Sequence, residues 1–150
     1  MSTAAKIGKK TQFLREDSTP GTGTYTQVAE VKSIGGPSLS RDSVDATNMD
    51  SADEFGEFIG GIGDGGEISL VLNTVPTNAT HGGTSGLVAD MLSGTTRSWQ
   101  IKWPQFSSGS PPTMTFSGFL TSHEIQSATR ELVTTSVRIK VTGKPTLTNI

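Results

Sequence analysis

From Val133 to Val141 the chain alternates without interruption: Val133, Thr135, Val137, Ile139 and Val141 oppose Thr134, Ser136, Arg138 and Lys140. A period of two scatters apolar side chains around a helix but gathers them on one face of a strand. Thr113 to Ile125 carries a similar pattern, and the small and polar residues Ser127 to Glu131 supply a turn. Residues 113–125 and 132–142 are therefore predicted as two long strands joined as a hairpin. Two shorter strands are predicted on the same grounds. Glu67 to Asn73 puts Ile68, Leu70 and Leu72 on one face, and Arg97 to Trp103 puts Trp99, Ile101 and Trp103 opposite Ser98, Gln100 and Lys102. The expected core consists of Trp99, Ile101, Trp103, Val137 and Ile139.

The first half is less regular. Thr11 to Asp17 is a short strand candidate that stops at the turn signal Pro20-Gly21. Tyr25 to Val31 reads as one half-buried strand ending at Gly35-Gly36-Pro37, and Arg41 to Thr47 as another short strand. Asn48 to Gly66 is rich in Gly and acid and has no sustained period, so residues 48–66 are predicted as a long loop with one helical turn around Glu54 to Ile59. One helix is expected, capped by Thr84 or Ser85, carrying an apolar stripe of Leu87, Val88, Met91 and Leu92, and ended by Gly94. Residues 1–10 are predicted as a flexible N-terminal arm and 144–150 as a C-terminal tail. These elements predict one mainly β domain over residues 1–150: an antiparallel β-sandwich or rolled barrel with one flanking α-helix and long loops.

Composition narrows what such a domain does. Only 32% of the residues are hydrophobic, while 18 are Gly and more than a quarter are Ser or Thr. Long two-faced strands in a chain with so little apolar reserve leave sheet edges that neighbouring copies are expected to cover. The absence of cysteine excludes disulfides, thiolate catalysis and Cys-based zinc sites. Residues 1–10 contain Lys6, Lys9 and Lys10 without a following apolar stretch, so no secretory signal is expected, and no run approaches the length of a membrane span.

Charge is segregated along the sequence. Nine of the 14 acids, from Asp42 to Asp90, fall in a stretch free of Lys and Arg, and all 12 basic residues lie outside it. One reading is a solvated loop region; the other is an acidic surface that meets a basic one on another copy. The net charge of −2 argues against tight phosphate binding.

No catalytic, metal or cofactor site is predicted. Gly61, Gly63 and Gly66 fit G-x-G-x-x-G, but a strand rather than a helix follows them, and the surrounding acids would repel a pyrophosphate. His81 and His123 sit in no metal-binding motif. A carbohydrate- or receptor-binding β-sandwich would need aromatic platforms, and only Trp99, Trp103 and Tyr25 are available, with both Trp assigned to the core.

Several segments, in order, resemble the major tail tube proteins of long, non-contractile-tailed bacteriophages. These are Val28-Ala29-Glu30-Val31-Lys32-Ser33-Ile34-Gly35-Gly36-Pro37, then Val44-Asp45-Ala46-Thr47-Asn48-Met49-Asp50-Ser51, then Phe55-Gly56-Glu57-Phe58-Ile59-Gly60-Gly61, then Asp64-Gly65-Gly66-Glu67-Ile68-Ser69-Leu70, and the ending Val141-Thr142-Gly143-Lys144-Pro145-Thr146-Leu147-Thr148. The resemblance covers most of residues 28–73 and 113–150. It implies a virion subunit whose six copies form a ring, with rings stacked into a hollow tube around a tape-measure protein and ended by a terminator. DNA would pass through the lumen without specific binding, and assembly would take place in the host cytoplasm. Contractile-tail and secretion-system tubes are the neighbouring alternatives. For ring stacking, the expected contacts are Lys6, Lys9 and Lys10 on the arm and Asp53, Glu54, Phe55, Glu57, Phe58 and Ile59 on the acidic segment.

Overall fold

The computed structural model describes residues 8–17, 23–106 and 108–149. Among the described residues, nine strands and one α-helix follow in the order β1 Gln12–Glu16, β2 Tyr25–Gln27, β3 Val31–Gly35, β4 Ser40–Asp45, β5 Phe58–Asp64, β6 Glu67–Asn73, α1 Leu87–Ser93, β7 Arg97–Lys102, β8 Thr113–Gln126 and β9 Thr134–Thr148. Seven strands form one antiparallel sheet in the order β2-β1-β7-β8-β9-β6-β3, and β4 and β5 form a separate two-stranded ribbon.

The sheet rolls because of its connectivity. Its two edge strands, β2 and β3, are consecutive in the chain, with only residues 28–30 between them. A flat sheet of seven strands would hold those edges about 29 Å apart at roughly 4.8 Å per strand spacing, far beyond the reach of three residues. The edges must therefore curl toward each other. Tyr25 to Val31, expected as one strand, is divided at this crossing, where Val28 is buried and donates its N–H to the Phe13 carbonyl at 2.9 Å.

Inside the roll lies one core, which includes Phe13, Val28, Ile68, Leu70, Leu72, Leu87, Ile101, Val137 and Ile139 packed around Trp99. Phe13 stacks on Trp99 with ring centroids 5.5 Å apart. Each fully buried apolar side chain contributes about 1.5–3 kcal/mol, so the alternating residues of β6, β7 and β9 carry much of the folding free energy. Trp103 departs from the expected core: it lies past the end of β7, half-buried against the cluster. Its backbone N–H bonds the Pro112 carbonyl, an attachment outside the ladder.

Three other expectations need correction. Residues 144–148 are the end of β9, paired with β8 from Thr146 to Thr148, rather than a tail. The helix begins after Gly86, without a side-chain cap from Thr84 or Ser85, and Leu92 of its expected apolar stripe faces solvent. The buried residues of α1 are Leu87 and Asp90, three apart and so on one face. Gly94 ends the helix in the left-handed conformation (φ 66°), as expected.

The third correction concerns residues 48–66. Residues 58–64 form β5 instead of loop, and the only helical feature there is a single 3-10 turn at Ala52–Glu54, upstream of the expected Glu54 to Ile59. Gly60 and Gly61 let β4 and β5 lie close: a Cβ at Gly61 would stand 3.2 Å from the Asp42 Cβ, and one at Gly60 would stand 3.1 Å from the Arg41 Cδ.

Candidate assembly surfaces

The β4–β5 ribbon turns neither face to the core. Val44 lies opposite Ile59, and Asp45 opposite Phe58, in the cross-strand register. Both members of each pair are exposed. Phe55 beside the turn and Phe58 (64% exposed), Ile59 and Ile62 (84% exposed) on β5 thus leave the two-stranded ribbon with solvated apolar side chains, the consecutive Phe58 and Ile59 on opposite faces. Isolated ribbons of this kind are marginally stable in water. This one is held at its base, where Lys140 Nζ lies 2.9 Å from Asp64 Oδ1 and Arg41 Nη1 donates to the Gly61 carbonyl at 2.8 Å. The Gly66 N–H and then Lys140 hold the Asp64 carboxyl below its ordinary value of 3.8.

At the other end of the ribbon, polar bonds shape the turn. Glu57 donates its N–H to Thr47 Oγ1 at 2.8 Å, and its carboxylate accepts from Ser51 Oγ at 2.9 Å. Asp53 and Glu54 are exposed in the 3-10 turn, both with positive φ. The structure therefore gathers Asp53, Glu54, Phe55, Glu57, Phe58 and Ile59 on one projecting element. It also adds Val44 and Ile62, which sequence reasoning missed. Exposed apolar side chains within a glycine-rich, acidic run were the available signal.

The basic arm is placed differently. Lys6 falls outside the described residues, while Lys9 and Lys10 are exposed just before β1. Through the register Gln12–Lys102–Thr113–Thr148, they stand at the end of the sheet from which the ribbon also leaves. Lys9, Lys10 and the ribbon thus share one end of the sheet.

The broad outer face of β6, β9 and β8 is polar and of mixed charge. Glu67 lies opposite Lys140, Ser69 opposite Arg138, and Glu124 opposite Ser136. Lys102 is two strands away from β9, at the level of Thr148 through Thr113. Lys102, Arg138 and Lys140 therefore make no continuous basic stripe, and Lys140 is paired with Asp64.

Other polar groups are structural. Asp90 is fully buried between Arg15 and Arg97, which ties α1 to β1 and β7. His81 accepts the Val75 N–H on Nδ1 at 3.1 Å and donates from Nε2 to the Ala29 carbonyl at 2.7 Å, clipping residues 74–86 to the crossing between the sheet edges. His81 and His123 both line a cavity of about 130 Å³, and burial pushes the His123 imidazole below the ordinary 6.5. Among the described residues no group of three or more His, Cys, Asp or Glu is arranged to hold a metal ion. Trp99 is buried, and Tyr25 is tied by its hydroxyl to Ser98 Oγ at 2.8 Å, so neither is a free platform for a sugar ring.

A rolled antiparallel sheet with one flanking helix, a projecting apolar ribbon and a mixed-charge outer face defines a self-assembling structural subunit. The family model described as Lambda phage tail tube protein, TTP, matches residues 15–148, and the chain belongs to that family. It is a structural subunit of a tail tube. No curated protein matches the sequence. Among solved structures, the fold is similar to the tail of an empty GTA particle refined with C6 symmetry (TM-score 0.75, 16% identity, 96% of this chain and 99% of that chain). It is also similar to the SPP1 tail tube (TM-score 0.65, 12% identity, 94% and 77%). A third similar structure is the tube terminating cap of the anti-feeding prophage (TM-score 0.64, 14% identity, 99% and 94%).

Proposed function

We propose that six copies of this chain close side by side into a ring, and that rings stack into a hollow, non-enzymatic conduit through which a phage genome leaves the virion. The observation that carries this reading is the β4–β5 ribbon, whose apolar residues are solvated in the single subunit and would gain burial against another copy. The sixfold count rests on the C6 symmetry of the similar GTA tail. The outer face of β6, β9 and β8 is assigned to the lumen, because its balanced charges avoid the counterion release that would hold DNA by its phosphates. Assembly takes place in the host cytoplasm around a tape-measure protein and stops at a terminator, with no contact to a membrane. The acidic tip residues Asp53, Glu54 and Glu57 set register in ring stacking, and Phe55, Phe58 and Ile59 supply its affinity.

Negative-stain microscopy of the purified chain at rising concentration tests this reading. Rings or tubes of uniform diameter are expected. A chain that stays monomeric at every concentration would count against it.

A further inference from the structure

A cleft of about 660 Å³ opens beside the ribbon base, lined among others by Leu39, Arg41, Asp64, Lys144, Pro145 and Leu147. It exists because the sheet divides there. The Val141 N–H bonds the Gly66 carbonyl, and beyond that point β9 continues on β8 alone while β5 diverges with β4. One edge of β9 from Gly143 onward is thus left unpaired. Pro145 has no N–H to offer on that edge, and Lys144 adds a charge, so the cleft is unsuited to an added strand and suited to side chains.

At the opposite end of the same strands, the β8–β9 hairpin exposes Ile125, Leu132 (70%) and Val133. The register fixes this opposition. Lys140 pairs with Glu67 at the cleft end, and Thr134 pairs with Asn73 and Gln126 at the hairpin end. The six residue steps of β6 separate the two ends by about 20 Å. Copies stacked along the strand direction therefore bring one copy's hairpin to the next copy's cleft.

Charge agrees with that pairing. Lys140 already engages Asp64, which leaves Arg41 and Lys144 as the cationic groups of the cleft. The hairpin carries Glu124 and Glu131 beside Arg130.

We propose that the β8–β9 hairpin of one copy, led by Leu132, seats in the cleft between the ribbon and β9 of a second copy in the adjacent ring. The proposal rests on the tube reading and names the surface that receives each ring. The interface is head to tail: two different surfaces meet, and repetition builds an open filament rather than a closed dimer.

The chain has no cysteine, so introduced thiols report this contact without background. Leu132→Cys and Leu147→Cys chains are mixed, polymerised and oxidised. A covalent dimer is expected from the mixture and none from Leu132→Cys alone, because head-to-tail contacts never join two hairpins. Leu132→Asp should raise the concentration at which tubes appear by about tenfold or more. Its thermal transition should be unchanged. If tubes form and the mixture gives no dimer, the cleft is not the acceptor and the tube reading stands. If the wild-type chain forms no tubes, both fall.

Discussion

Arg15 and Asp90 lie 75 residues apart in sequence, yet Arg15 Nη2 sits 2.7 Å from Asp90 Oδ1 in a site closed to solvent. Arg15 Nε makes the second contact of a bidentate pair with the same carboxylate, and Arg97 Nε reaches Oδ1 from the other side at 2.5 Å. One carboxylate therefore holds α1 against β1 and β7. Asp90→Ala would leave the buried Arg15 and the half-buried Arg97 without their shared anion and is expected to cost about 3–5 kcal/mol. Urea denaturation measures this directly. A loss below about 1 kcal/mol, the level of an exposed pair, would show that α1 docks by packing alone.

Trp99 and Gly118 make a second cross-strand dependence. The Trp99 indole N–H donates to the Gly118 carbonyl at 3.1 Å, and a Cβ on Gly118 would stand 2.5 Å from the Lys140 carbonyl oxygen on β9. Backbone cannot retreat as a flexible side chain does. Gly118→Ala is expected to destabilise the subunit by about 1–3 kcal/mol or more through overpacking. Trp99→Phe keeps most of the ring burial and loses the hydrogen bond, for about 1 kcal/mol. Thermal unfolding of the two variants checks the order; a larger loss in Trp99→Phe would contradict it.

Periodicity exposed the parts of the fold that bury one face, and it was silent about the part that buries none. Ile68, Leu70, Trp99, Ile101, Val137 and Ile139 alternate with polar residues because their strands separate a core from solvent. Phe58, Ile59 and Ile62 lie on a strand too, but β5 is solvated on both faces and contains Gly60, Gly61 and Gly63, so neither alternation nor strand propensity marks it. Family resemblance singled out Phe55, Phe58 and Ile59 as stacking candidates, and their gathering on a ribbon was not legible. Asp90 showed no signal, since its partners Arg15 and Arg97 come from distant strands.

Asp64 gives the ribbon base a defined response to acid. Its carboxyl is held below 3.8, first by the Gly66 N–H and then by Lys140. A lowered folded-state value means that this contribution is complete above 3.8 and is lost as pH falls through the folded-state value. In a carboxyl NMR titration, the Asp64 midpoint should lie below 3.8, and Lys140→Met should move it only part of the way back, because the backbone bond remains. A full return to 3.8 in that variant would assign the whole effect to Lys140. The group is exposed, so the acid response should appear as loosening of the ribbon without global unfolding.

Phe58 and Glu57 separate the two contributions expected of the ribbon in tube formation. Phe58 is 64% exposed and lies opposite Asp45, so Phe58→Ala removes no core contact and the subunit should unfold as the wild type does. Burial of such a side chain against a neighbouring ring contributes about 1.5–3 kcal/mol per contact. Each 1.4 kcal/mol is about a factor of ten in concentration, so Phe58→Ala should raise the threshold for tube formation by at least about tenfold. Glu57→Gln removes one charge while an amide oxygen can still accept from Ser51 Oγ. Exposed charges contribute roughly 0–1 kcal/mol, so this threshold should move by less than about fivefold. It should, however, become less sensitive to salt, because the lost interaction is one that salt screens. Light scattering across a concentration series, with thermal unfolding of each monomer as the control, measures both shifts. If Phe58→Ala polymerises at the wild-type threshold while remaining folded, the ribbon is not the stacking element and its apolar surface must meet a different partner.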